Sequence, residues 1–316
     1  MISKLSEKNL FGVRVTTSSE KDILEYVLST LTNSDKKLSI FTPNPEIIVK
    51  AHSNPKYKAI LNSGSIMLPD GAGLILASWV LGAPLEHRIT GVDFLVNLSQ
   101  RVAQYADKKS LCVGFVGAKA GVALRTAECL QSAFPELRIS FIGEEWPASQ
   151  RDEEDGVFIP EKYQLKIAES HFGNIHALKK AITEQTSGNS TDMKYESGGK
   201  SHGENKSTRA SSLMNHDSKI DVLFVAFGAP KQEEWIASHL DNLPVRVAIG
   251  VGGAFDFISG QVSRAPYVIR FLGLEWLYRL IRQPWRWKRQ LSLLTFLKLT
   301  AEEWVDLVRQ AFRKNP

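Results

Sequence analysis

Short apolar segments alternate with helical patterns along most of this 316-residue chain, and that alternation limits the fold more than any other feature. Apolar runs of strand length separated by amphipathic helices are typical of a parallel sheet covered by helices on both faces. We therefore expect an α/β fold with a Rossmann-like, mostly parallel sheet. The predicted strands are Lys37–Phe41, Ser65–Leu68, Ser110–Val116, Arg138–Ile142, Asp221–Phe227 and Val245–Val251, and the predicted helices between them are Glu46–Asn62, Gly73–Leu81, Gly121–Phe134 and Lys231–Asn242.

Loops at the carboxyl ends of the strands are where an open α/β sheet binds its ligands. Five of these loops are rich in Gly, Pro and polar residues: TPNPE (42–46), PDGAG (69–73), GFVGAK (114–119), GAPKQE (228–233) and GVGGAFD (250–256). Glycine lets the backbone turn tightly and approach a ligand closely, so Gly117, Gly252 and Gly253 are candidate binding positions. The alternative is that they only allow close packing of strand against helix.

Polar side chains in the same loops are candidates for chemistry. Asp70 follows an apolar strand and could act as a general base in a cleft, or it could cap the next helix. Thr42 and Asn44 could bind a sugar hydroxyl or serve as a turn and a cap. Asp256 could accept hydrogen bonds from ribose or sugar hydroxyls, or cap a tight turn. Gln232 could reach a nucleotide or sugar, or only lie in the first turn of a helix.

Nicotinamide and metal cofactors find little support in the sequence. The glycine pattern at 114–121 is not G-x-G-x-x-G, which argues against a nucleotide-dependent oxidoreductase. The chain contains no Asp-x-Asp and no His, Cys, Asp and Glu cluster with metal-ligand spacing. We therefore expect no cofactor and no metal, so any phosphate leaving group would have to be neutralised by basic side chains.

Basic residues are concentrated at the C-terminus. Residues 261–316 hold eight Arg and three Lys against three Glu and one Asp, a net charge of +7, whereas the whole chain carries +5 and the first 260 residues therefore −2. Four of the seven Trp lie in the same segment. The pattern predicts amphipathic helices over 267–282 and 287–313, with a break at Pro284. Such a segment suits a phosphate-rich partner or a membrane surface, or it is merely the solvated face of a surface helix.

Three further features bound the location and organisation of the chain. Residues 185–218 are rich in Ser, Gly, Asn and Lys and predict a disordered insertion. Two cysteines, Cys112 and Cys129, are too few for a disulfide framework, which favours a reducing compartment. No apolar leader or segment of spanning length is present, so a soluble or peripheral protein is expected.

Taken in order, the strand-end loops resemble the WecG/TagA/CpsF glycosyltransferase family, also called glycosyltransferase family 26. The resemblance covers roughly residues 10–290 apart from the 185–218 insertion. The matching stretches are TPNPEI (42–47), LPDGAG (68–73), RITGVDF (88–94), GFVGAK (114–119), FGAPKQEEW (227–235), GVGGAFDFISG (250–260) and RAP…GLEWLYRLIRQPWRWKRQ (264–290).

This resemblance implies an inverting, metal-independent transferase. Its substrates would be a UDP-sugar donor of the N-acetylmannosamine type and a lipid-linked acceptor, undecaprenyl-diphosphate-GlcNAc, in teichoic acid or surface polysaccharide synthesis. By position, Asp70 matches the proposed catalytic base and Thr42 the residue beside it in the pocket. Arg88 is assigned to the catalytic residues together with these two. The remaining matches are pocket positions at Asn44, Gln232 and Asp256, and arginines of a C-terminal appendage at Arg279, Arg286 and Arg289.

The predicted organisation is a catalytic α/β domain over residues 1–262, containing the insertion, followed by a basic helical appendage over 263–316. We expect the appendage to dock on the strand-end cleft and on the membrane surface, at the cytoplasmic inner face of the membrane. Its apolar face could also dimerise when it is not docked, giving a homo-oligomer. The rival interpretation is a nucleotide- or nucleic-acid-binding module without transferase activity. Against it, the basic region is helical and rich in Leu and Trp, so no nucleic acid partner is expected.

Overall fold

A computed structural model describes residues 5–105, 111–145, 157–158, 220–284 and 287–314 of the chain. The strands are β1 Glu7–Leu10, β2 Val13–Thr16, β3 Leu38–Phe41, β4 Ile66–Met67, β5 Cys112–Gly117, β6 Arg138–Glu145, β7 Val157–Phe158, β8 Ile220–Ala226 and β9 Val245–Gly250. The helices are α1 Glu20–Asn33, α2 Pro45–Ser53, α3 Pro55–Ser63, α4 Ala72–Val80, α5 Gly91–Gln104, α6 Val122–Ala133, α7 Lys231–His239, α8 Ala254–Ile258, α9 Tyr267–Phe271, α10 Glu275–Arg282 and α11 Trp287–Lys314.

The main sheet has the order β4-β3-β9-β8-β5-β6-β7. Its first six strands are parallel, and β7 joins the edge antiparallel to β6. Strand β8 is buried along its whole length, as a central parallel strand with helices on both faces must be. The predicted α/β class with a Rossmann-like, mostly parallel sheet is confirmed. This order places the carboxyl ends of β4, β3, β9, β8 and β5 side by side, and the five candidate loops lie at these ends.

The single helix predicted over 46–62 is wrong, because the chain forms two helices there. Helix α2 ends before Asn54, and Pro55 opens α3 at its first position. The Asn54 side chain accepts a hydrogen bond from the Tyr57 amide at 3.1 Å and so caps α3. Proline has no amide hydrogen to continue the earlier helix, and the apolar spacing that suggested one helix runs through both.

The helix predicted over 267–282 is also divided in two. Gly273 separates α9 from α10 with φ +74, and a Cβ built there would lie 2.4 Å from the Cβ of Ala72 in α4. The backbone of the appendage therefore lies against the first turn of α4 so closely that only glycine fits. This contact brings the C-terminal helices to the carboxyl edge of the sheet.

The last helix, α11, packs into the body rather than standing apart from it. Phe296 is 2% exposed and Leu299 8%, and both belong to the same buried cluster as the sheet residues. The Phe296 ring lies 5.2 Å from that of Phe11, in the turn of the β1–β2 hairpin. Sequence analysis did not predict that hairpin, whose two strands are only four residues long each.

Some predictions fall outside the described residues. The 185–218 insertion and Arg286 are among them. Cys112 lies in β5 and Cys129 in α6, and neither forms a disulfide.

Candidate functional site

Thr42 and Asp70 lie at the carboxyl edge of the sheet, just after β3 and β4. Thr42 follows β3, is 5% exposed, and donates from Oγ1 to the carbonyl oxygen of Gly250 at 3.0 Å. Asp70 follows β4, and its amide donates to the carbonyl oxygen of Pro43 at 2.9 Å. These bonds join the ends of β3, β4 and β9, so the two side chains are placed by the sheet itself.

Asp70 does not cap the helix after it, which was the alternative to a catalytic role. Helix α4 begins after Gly71, without a side-chain cap. The half-buried Asp70 carboxylate instead accepts a hydrogen bond from the Gly91 backbone, at the start of α5. Burial raises the pKa of Asp70 to about 6, and the Gly91 bond opposes that rise. A carboxyl with a pKa near 6 is a stronger base than an ordinary aspartate and is ionised at neutral pH.

Charged side chains from three segments surround Asp70. Arg88 holds its pKa down, whereas Glu275 and Asp93 push it up. Arg264, in the appendage, links the two acids: it donates to both Asp93 carboxylate oxygens at 2.7 Å and lies 3.5 Å from Glu275 of the appendage itself. The candidate base therefore lies where the body and the C-terminal helices meet.

Asn44 caps α2. Its side-chain oxygen accepts from the Ile47 amide at 3.0 Å, which is the cap interpretation left open above. In the first turn of the same helix, Glu46 forms an ion pair with Arg289 of α11 at 3.1 Å. Helix α2 therefore holds one of the predicted appendage arginines at the site edge.

Arg279 reaches the turn after β9 from α10. Its guanidinium lies 3.2 Å from the Asp256 carboxylate and 4.6 Å from the centre of the Phe257 ring. A Cβ on Gly253 would lie 3.0 Å from the same guanidinium. Only 17% of the Arg279 side chain is exposed, so the interpretation as a solvated surface arginine does not describe it.

Three cations gather at this edge. Burial is the largest cause of a lowered pKa at Arg279, and Arg289 adds to it. Burial and Arg289 likewise lower the pKa of Lys50, whose Nζ donates to the carbonyl oxygen of Ala229 at 2.8 Å. Cations held this close together are better accommodated when an anion lies between them. Arg279, Arg289 and Lys50 are called the cationic cluster below.

The Gln232 side chain is 2% exposed, so it is buried beneath the strand-end loops. Its Oε1 accepts from the Gly252 amide at 2.9 Å, and its Nε2 donates to Glu233 at 2.8 Å. Glu233 is completely buried, and burial raises its pKa to about 7, opposed by hydrogen bonds from Gln232, its own backbone and Tyr57.

Gly117 ends β5 with φ +100, and a Cβ there would lie 2.9 Å from the carbonyl carbon of Ala226. Close strand contact thus explains the glycine at this position, and its role in binding stays a prediction. Its strand lies beside β8, which the chain leaves to enter α7, the helix that carries Gln232.

Sequence reasoning missed Lys50, Asp93, Glu233 and Glu275. Three of them stand inside the stretches that carry the family resemblance, RITGVDF, FGAPKQEEW and GLEWLYRL. These three acidic side chains lie in the first turns of α5, α7 and α10, and a sequence does not show which turns of different helices meet. Lys50 gave no local signal at all.

Within the described part of the chain, no group of three or more His, Cys, Asp or Glu side chains is arranged to hold a metal ion.

Comparison with known proteins finds named relatives over most of the chain. A chain from Bacillus spizizenii (strain ATCC 23059 / NRRL B-14472 / W23) named N-acetylglucosaminyldiphosphoundecaprenol N-acetyl-beta-D-mannosaminyltransferase is 32% identical over 271 residues, 85% of this chain and 81% of the relative. A Staphylococcus aureus (strain MRSA252) protein of the same name is 26% identical over 288 residues, 91% of this chain and 88% of the relative. The model of the glycosyl transferase WecG/TagA/CpsF family matches residues 8–170 and 178–310, so the chain belongs to this family of glycosyltransferases.

Proposed function

We propose that this glycosyltransferase moves an N-acetylmannosamine-type sugar from a UDP-sugar to undecaprenyl-diphosphate-linked GlcNAc. The relatives' names state the transferred sugar and the acceptor. The proposal adds the UDP donor, direct displacement with inversion, and no metal. One observation carries it: Asp70, whose pKa is raised, follows β4, and the cationic cluster contacts the segments that follow β3, β9 and β8 along the same edge of the sheet.

The proposed mechanism needs one base and one set of cations. Asp70 would take the proton from the attacking acceptor hydroxyl as that oxygen bonds to the anomeric carbon of the donor. The bond from the anomeric carbon to the diphosphate oxygen breaks on the opposite face, and the electron pair leaves with UDP. Arg279 and Arg289 would stabilise the developing phosphate charge, as a metal ion does in other transferases.

Transfer from a panel of UDP-sugars to a short-chain lipid-diphosphate-GlcNAc analogue tests this function. We expect turnover with a UDP-N-acetylmannosamine-type donor, a product of opposite anomeric configuration by NMR, and a rate within about twofold in excess EDTA. Loss of activity in EDTA that added divalent cation restores would refute the metal-free mechanism. Salt-sensitive oligonucleotide binding without turnover of any sugar would instead favour the binding-module alternative.

Peripheral contact with the cytoplasmic face of the membrane is part of the proposal. Among the described residues, the strongly exposed large hydrophobic side chains all lie on α4 or beyond residue 266. Phe271 is 77% exposed, Ile281 70% and Leu76 68%. Exposed apolar side chains on basic helices, with Trp276 and Trp287 among them, suit the headgroup boundary of an anionic bilayer. No helix in the described ranges has the length and apolarity needed to cross a bilayer.

Replacing Phe271 and Ile281 together with Ser should lower sedimentation with anionic vesicles by about tenfold, because apolar insertion contributes to binding. Point variants are the right test here, since deleting the appendage would uncover the core around Phe296. Turnover of a soluble short-chain acceptor should remain unchanged and serves as the control. Equal sedimentation of wild type and variant would contradict the membrane contact, and a change in molecular mass instead would assign the face to a homo-oligomer.

A further inference from the structure

A buried chain of hydrogen bonds runs from α3 to the turn after β9. The Tyr57 hydroxyl donates to Glu233 Oε2 at 3.0 Å, and Glu233 Oε1 accepts from Gln232 Nε2 at 2.8 Å. Gln232 Oε1 then accepts from the Gly252 amide at 2.9 Å. Tyr57 is 1% exposed, Gln232 2% and Glu233 0%, so the chain is closed to water except at its Gly252 end.

The orientation of the Gln232 amide is fixed by its two neighbours. Its nitrogen must face Glu233, which offers acceptors, and its oxygen must therefore face Gly252, which offers a donor. The side chain is also pressed against the end of β9, where a Cβ on Gly250 would lie 3.0 Å from Gln232 Nε2. Glu233 therefore orients the Gln232 amide, whose oxygen accepts from the Gly252 amide.

The hydrogen bond from the Gly252 amide to Gln232 holds the start of a turn at the edge of the site. Gly252 has φ +53 and Gly253 is exposed, and α8 starts immediately after them. Asp256, which pairs with Arg279, lies in the first turn of α8. A shift of the Gly252 amide would therefore move the Asp256–Arg279 pair, and with it one member of the cationic cluster.

We propose that Glu233 is a positioning residue that shapes the Gly252–Asp256 turn for the nucleoside diphosphate of the donor. It acts through its hydrogen bond to Gln232 and is itself buried away from the substrate. This inference rests on the proposed function for the identity of the donor. It assigns the buried Glu233–Tyr57 pair a role in donor binding, separate from the acceptor chemistry at Asp70.

Two substitutions of Glu233 separate geometry from charge. Glu233→Gln keeps one acceptor for Gln232, and its new amide can donate to the Tyr57 oxygen, since a hydroxyl accepts as well as donates. Glu233→Ala leaves Gln232 free to turn and Tyr57 without a buried partner. We expect Glu233→Ala to raise the donor KM about tenfold and to lower kcat by a few fold through the displaced Arg279, with the acceptor KM within about twofold. Glu233→Gln should restore the donor KM to within about threefold of wild type.

Tyr57→Phe provides a second route, in case Glu233→Ala does not fold. It removes only the hydroxyl and should raise the donor KM in the same direction by a few fold. The matched control is Asp221→Ala at the opposite end of β8. Asp221 is 8% exposed, accepts from the Cys112 amide at 2.9 Å and lies 3.5 Å from Arg246. Its loss should lower stability and leave the donor KM unchanged.

Hydrogen exchange supplies a measurement that does not depend on turnover. The amides of 250–256 should exchange faster in Glu233→Ala than in wild type, Glu233→Gln or Asp221→Ala. Unchanged exchange together with an unchanged donor KM would overturn the positioning role, as would equal defects in the Ala and Gln variants. If wild type transfers no sugar from any UDP donor while the exchange difference is present, the proposed function fails and the control of the turn by Glu233 stands.

Discussion

Replacing Asp70 with Asn is expected to lower kcat by at least about a hundredfold, with both KM values within about threefold. General base catalysis contributes about 10² to 10⁴ to a rate, and Asn keeps the size of the side chain while it cannot accept a proton. The measurement is steady-state transfer with the donor and then the acceptor varied. A variant that retains full kcat would remove Asp70 as the base.

The same carboxyl should set the acidic side of the pH profile. Asp70 must be ionised to act, and its pKa is raised to about 6, so kcat/KM should fall tenfold per pH unit below about pH 6. The matched control is Asp241→Asn, an exposed carboxylate just before β9 at the other end of the sheet. That variant should keep both the rate and the acidic limb of wild type.

The Asp70→Asn substitution, which lowers activity, should raise the stability of the folded protein above about pH 6. A carboxyl whose folded pKa lies above its unfolded value of 3.8 favours folding when protonated, and that contribution is lost as pH rises through about 6. Ionised Asp70 therefore destabilises the protein at pH 8, and Asp70→Asn should raise the free energy of unfolding there by at most about 3 kcal/mol. The gain should vanish near pH 4. A variant that is less stable at pH 8 would show that the carboxylate contributes favourable contacts that outweigh its burial.

The sheet and the positions of its loops could be predicted from sequence because their causes are local. Apolar runs of strand length placed Asp70 after β4 and Asp256 after β9, and parallel pairing brings such ends to one edge. Local signals also misled where two causes competed. The apolar spacing across Asn54 suggested one helix, but the backbone constraint of Pro55 prevailed.

Contacts between distant segments could not be predicted in this way. The residues around Gly273 in the sequence do not predict its contact with Ala72. Those around Glu233 likewise do not predict its hydrogen bond with Tyr57. The resemblance gave Gln232 a place in the pocket, whereas its amide is engaged at both ends by Gly252 and Glu233. Burial of a polar group depends on which helices pack together, and a single sequence does not specify this.

Replacing Arg279 with Ala should lower kcat by about 10² to 10³, the loss expected when one charged donor to a developing oxyanion is removed. Arg279→Lys should recover only part of this rate, because an ammonium group cannot make the paired hydrogen bonds of a guanidinium to a phosphate. Arg282→Ala is the matched control on the same helix, since Arg282 is exposed and its guanidinium lies 5.5 Å from the centre of the Tyr278 ring.

Single-turnover measurement would separate leaving-group stabilisation from product release. If Arg279 stabilises the departing diphosphate, its loss slows the first turnover, and excess EDTA changes neither wild type nor variant. If Arg279 only holds UDP after the reaction, the first turnover stays at the wild-type rate while UDP binds more weakly. Equal, small losses in Arg279→Ala and Arg282→Ala would mean that the cationic cluster does not act on the leaving group. The positive charge that stabilises the leaving group would then have to come from another side chain, and the half-buried Arg279 would have only a structural role against Asp256 and Phe257.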